Sequence, residues 1–134
     1  MKVKKLIAHS ICIVALFIGI DTFAQTNKTV EIKSTAVAKF RGSNPKIKVD
    51  MPTNDSKPIV KARGSGCTIQ FENYTGLYIK VYVNGYYKGT MDAWGKAKVV
   101  TNNGYETVYL VSVGGTREWN TSGDCSGVYT FVLK

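Results

Sequence analysis

Only one histidine occurs in this chain, His9. No Ser-His-Asp or Cys-His nucleophile system can be assembled from the residues that follow it. Of the three cysteines, Cys12 lies in an apolar N-terminal run, which leaves Cys67 and Cys125 as an even pair. Structural zinc takes about four ligands, usually Cys or His. Two cysteines without histidine cannot supply them, so neither a metal nor a cofactor is expected. The acids after residue 66 are Glu72, Asp92, Glu106, Glu118 and Asp124. Glu106 with Glu118 or with Asp92 could form a carboxylate pair for acid–base work. Five acids on a small β domain are more often solvated surface, so the expectation is a protein without catalytic residues.

Aromatic side chains carry the stronger signal. Tyr78 and Tyr82 alternate with Lys80 on one face of a strand whose other face holds Leu77, Ile79, Val81 and Val83. If that face is solvated, the tyrosines form a stacking stripe for sugar rings or a protein surface. If a second sheet covers it, they are amphipathic core. Trp94 falls in the loop Asp92-Ala93-Trp94-Gly95, where an indole is either functional or packed over the sheet edge. The candidate contact set is Trp94, Tyr78, Tyr82, Tyr86 and Tyr87. Trp119 is expected to pack on a Cys67–Cys125 disulfide.

The elements that must position these groups read as strands. Cys67-Thr68-Ile69-Gln70-Phe71 and Leu77–Val83 alternate apolar and polar residues, the pattern of half-buried β structure. Asn84-Gly85 is a strong signal for a tight hairpin, because its turn needs positive φ at both positions. Tyr86–Met91, Lys96–Thr101, Tyr105–Val113, a short Arg117-Glu118-Trp119 and Val128–Leu133 follow, with a polar loop Asn120–Gly127 carrying Cys125. About seven short strands with frequent turns predict an all-β fold, a small antiparallel β-sandwich or partly open barrel over 67–134. A disulfide between Cys67 and Cys125 would staple a domain of marginal size and make its first and last strands neighbours.

Residues 1–24 read as a signal peptide. Lys2, Lys4 and Lys5 precede the apolar run Leu6–Ile20, and Thr22-Phe23-Ala24 has small residues at the two positions read for cleavage. The run is shorter than the ~20 residues of a spanning helix. Ile11 before Cys12 argues against lipidation. The chain is thus expected to be exported, to the periplasm, the cell surface or the medium, and not to be transmembrane after cleavage.

Residues 25–66 hold all three prolines and nine basic side chains against Glu31, Asp50 and Asp55, whereas 67–134 is nearly balanced. Few apolar residues occur there, so a disordered basic linker is expected. Such a segment could contact anionic surface polymers. It lacks the interleaved aromatics of a single-strand binder, and no specific nucleic-acid partner is expected. Asn27-Lys28-Thr29, Asn54-Asp55-Ser56, Asn73-Tyr74-Thr75 and Asn120-Thr121-Ser122 match the N-glycosylation pattern.

Val81-Tyr82-Val83-Asn84-Gly85-Tyr86-Tyr87-Lys88-Gly89-Thr90, with Gly104-Tyr105-Glu106-Thr107-Val108 after it, resembles the core hairpin of PEGA-type surface domains. Asn73-Tyr74-Thr75-Gly76 stands where that family has its Pro-Glu-Gly-Ala stretch. The resemblance implies an extracytoplasmic β-sandwich with binding or surface roles and no catalytic residues. The function expected is a secreted or cell-envelope binding module that recognises polysaccharide or a protein surface. The alternative is an assembly partner or inhibitor of a larger envelope protein, acting by edge-strand pairing.

Overall fold

The computed structural model describes residues 26–39, 42–50 and 66–134. The signal peptide expected over 1–24 lies outside them. Within them the chain is all-β, with nine strands in two facing sheets and no closure into a barrel.

Strands β1 (Asn27–Ile32), β9 (Val128–Leu133), β3 (Cys67–Asn73) and β6 (Lys96–Thr101) form one sheet in that order. Strands β2 (Thr35–Ala36), β8 (Arg117–Cys125), β7 (Gly104–Ser112), β4 (Ile79–Val83) and β5 (Tyr86–Met91) form the other. The second sheet is antiparallel throughout. The first is mixed, because β9 runs parallel to both β1 and β3. This corrects the wholly antiparallel expectation. Hydrogen bonding along a parallel ladder needs no hairpin between neighbours, only a chain long enough to return.

Period-two alternation builds the core. Cys67, Ile69 and Phe71 on β3 face Ile79, Val81 and Val83 on β4, and Leu110, Trp119, Phe131 and Leu133 fill the space between them. Each such side chain contributes roughly 1.5–3 kcal/mol by leaving water. The Asn84-Gly85 hairpin forms as its residues dictate, with φ of 55° and 83°.

Three expectations are corrected. Residues 27–32 and 35–36, read as disordered linker, are strands. Val30 and Ile32 contribute packing, but most of β1 is exposed and is held by its backbone ladder to β9. The polar stretch after Trp119, read as a loop, continues β8 to Cys125 through an eight-residue register with β7. Its outward positions bear the polar side chains. Trp119 does not lie against the disulfide, since six residues of strand put it about 20 Å away. Its indole instead donates to the Lys134 carbonyl at 3.2 Å.

Cys67 and Cys125 are bonded, with Cα atoms 5.5 Å apart. The bridge joins β3 in one sheet to β8 in the other, one turn before β9. The strands it was expected to make neighbours, β3 and β9, do pair.

Candidate functional site

Trp94, Tyr74 and Tyr78 belong to two loops at one end of the sandwich, and Asn73 ties those loops together. Asn73 is 2% exposed. Its side-chain amide donates to the carbonyls of Leu77 (2.8 Å) and Asp92 (2.9 Å). Its side-chain oxygen accepts from the Thr75 amide (2.9 Å) and hydroxyl (2.7 Å). Every donor and acceptor of that amide is thereby used. The Trp94 amide then donates to the Thr75 carbonyl at 3.1 Å, and the Asn73 amide to Gly95 at 2.9 Å. A glycan acceptor needs a free, exposed amide, so Asn73 is not one.

This clamp holds Trp94 in an unusual state. Its φ is +58°, in the left-handed region that bulky residues avoid, and it is 70% exposed. The indole lies along Gly76, where an added Cβ would meet it at 3.8 Å. Tyr74 and Tyr78 are exposed on the adjoining loop, and the Tyr78 carbonyl accepts from the amide of exposed Val113 at 2.8 Å. Glu72 and Lys96 form a polar edge, paired at 2.7 Å, with the Tyr74 hydroxyl on Glu72. The Lys96 hydrogen bond, more than its charge, lowers the Glu72 carboxyl below its usual range. Together these residues offer aromatic faces for stacking and charged groups for hydrogen bonds.

The predicted contact set is not one site. Tyr86 and Tyr87 begin β5 at the opposite end, about 17 Å along the strand from Met91. Tyr86 is exposed beneath the Lys48 ammonium, and Tyr87 is half-buried with its hydroxyl on Thr90. Tyr82 is 1% exposed. Around Tyr82, Tyr109 and Val111 the outward face of its sheet is covered, though not by a second sheet. A strap of residues 42–50 crosses it. Ile47, with Val37, packs on the cluster of Tyr82, Tyr109 and Val111. Tyr82 donates to Asp50 (2.6 Å), Asn44 donates to the Tyr109 hydroxyl (2.9 Å), and Lys46 pairs with Glu118 (3.0 Å). Val49 is bridged to Tyr86 on the β5 edge. So this part of the basic segment, too, is ordered on the domain.

Burial acts on the groups under the strap. The Tyr82 hydroxyl is pushed well up, first by burial and then by its bond to Asp50. Tyr109 is pushed up to about 12, first by burial and then by its bond to Glu118. Burial alone would raise the Glu118 carboxyl, but the Lys46 and Tyr109 bonds outweigh it and hold it below the ordinary 4.5.

The possible carboxylate pairs do not form. Glu106 stands opposite Gly123 and Glu118 opposite Val111, five positions apart along the ladder and on opposite faces. Asp92 is at the far end. Among the described residues, no three His, Cys, Asp or Glu side chains gather as a metal site. Sequence reasoning missed Tyr74 and Asn73. The signal for both was the Asn-Tyr-Thr-Gly turn, where Asn and Thr two residues apart form a side-chain-capped turn.

No family model, curated protein or solved structure matches this chain.

Proposed function

We propose that this protein is a non-catalytic binding module of the cell envelope or extracellular space that takes polysaccharide across Trp94, Tyr74 and Tyr78. One observation carries the reading: a tryptophan that is both backbone-strained and solvent-exposed, fixed by a fully satisfied buried asparagine. Such strain costs roughly 1–3 kcal/mol and concentrates where a protein binds or reacts. An indole this exposed buries little surface for the fold, but stacks well on a sugar ring. The disulfide suits an oxidising compartment, and the signal-like residues 1–24 and the PEGA-type resemblance agree with it.

Residues 25–134 incubated with insoluble cell-wall and polysaccharide fractions should be retained. Trp94→Ala should weaken retention at least tenfold with the melting temperature unchanged. Retention that survives Trp94→Ala and Tyr78→Ala together removes this reading.

The second reading is pairing of a partner strand onto β6, an edge strand of its sheet among the described residues. Lys96 and Lys98 on that strand are charges of the kind that discourage edge pairing. A proline at position 98 would abolish such pairing and leave polysaccharide retention intact.

A further inference from the structure

A cavity of about 210 Å³ opens between the sheets, at the end opposite Trp94. Its origin is a missing side chain. Glu106 of β7 and Gly123 of β8 stand opposite each other, so both positions face inward. A Cβ added at Gly123 would meet nothing within 4 Å. Ile69, Val108 and Phe131 give the cavity apolar walls, and Tyr129 lies beside them. An apolar cavity of about 150 Å³ can already take benzene.

Glu106 also lines this space and is 6% exposed. Its oxygens accept from the Asn84 amide and the Thr101 hydroxyl, both neutral donors. Among the described residues no cation pairs with it. A carboxylate oxygen can accept two bonds, so each keeps one place free. A buried carboxylate without a cation is unfavourable, and an ammonium ion would relieve it. The cavity wall already tolerates one: the Lys28 ammonium lies 5.8 Å over the Tyr129 ring. Lys28 also lines the cavity but makes no ion pair with Glu106.

We propose that this cavity is a second binding site, for a small organic ammonium ion whose apolar part is about one ring in size. Glu106 is its counter-ion and the walls formed by Ile69, Val108 and Phe131 hold the ring. The site shares no residue with the Trp94 end.

Benzylammonium is the probe, with benzyl alcohol and benzoate as the neutral and anionic comparisons. Residues 25–134, labelled with nitrogen-15, would be titrated with each while amide resonances are followed. Benzylammonium should shift residues 104–108 and 121–125 saturably, benzyl alcohol should bind at least tenfold more weakly, and benzoate should not bind. Glu106→Gln should erase the preference for the ammonium. Because Glu106 also braces two turns, Gly123→Leu is the independent test: it should fill the cavity, keep or raise the melting temperature, and abolish binding. Equal affinity for benzylammonium and benzyl alcohol, binding that survives Gly123→Leu, or the absence of saturable shifts would each overturn the proposal.

Discussion

Replacing Cys67 and Cys125 together by alanine should remove about 4 kcal/mol of stability. The bridge closes a loop with a sequence separation of 58. In the chain-entropy treatment, a loop of that length restricts the unfolded chain by roughly 4 kcal/mol at 25 °C. The native state loses little else, because both positions are buried within strands whose ladders remain. For a domain of this size the melting temperature should fall by about 15–30 °C. Urea unfolding is the assay, followed by fluorescence of buried Trp119; exposed Trp94 changes little on unfolding. The slope against urea should also steepen, since an uncrosslinked chain exposes more surface. A loss below about 1 kcal/mol with an unchanged slope would refute the reasoning, because the crosslink would then not be limiting the unfolded state.

Trp94→Gly should raise stability by about 1 kcal/mol, since glycine accepts the +58° backbone without strain, while polysaccharide retention is lost; thermal melting and pull-down read the two effects. In acid, the depressed Glu118 carboxyl makes stability fall as pH drops from 4.5 through its lower folded-state value. Glu118→Gln should flatten that part of a urea-midpoint profile. In alkali the sign reverses. Tyr82 and Tyr109 hold their protons more tightly when folded, so their contribution is complete below the unfolded value of 10 and is lost as pH rises through the folded values. Tyr109→Phe should reduce the loss between pH 10 and about 12.

Much of the sandwich was legible because its strands obey simple local rules. Lys96–Thr101, Val128–Leu133 and Tyr86–Met91 fall where alternation and turn residues put them. Asn84-Gly85 adopts the two positive φ angles that its residue types favour. Cys67 and Cys125, expected as a disulfide from their even count, are bonded. Strand β1 was not legible, because Asn27–Ile32 earns its place from backbone pairing with a strand about a hundred residues away. The burial of Tyr82 was not legible either. Alternation says which side chains share a face, but not what crosses it, and the covering strap is rich in lysine. With Lys46 on Glu118 and Lys48 over Tyr86, those charges are part of the packing. For the candidate site, Trp94 was read from its turn and Tyr78 from strand alternation, while the clamp at Asn73 needed the geometry of two loops at once.

The placement of β9 has a consequence for when the molecule can be built. It lies between β1 and β3 and runs alongside both. Emerging residue by residue, the chain delivers β1 first and β9 last of the described strands, so β1 has no neighbour in this sheet, and β3 has only β6, until β9 arrives. The β3–β6 half of the sheet can pair in a growing chain, but β1 joins it only through the C-terminal strand, a closing step slowed by contacts distant in sequence. A chain stopped at Gly127 would forfeit the centre of that sheet rather than its margin.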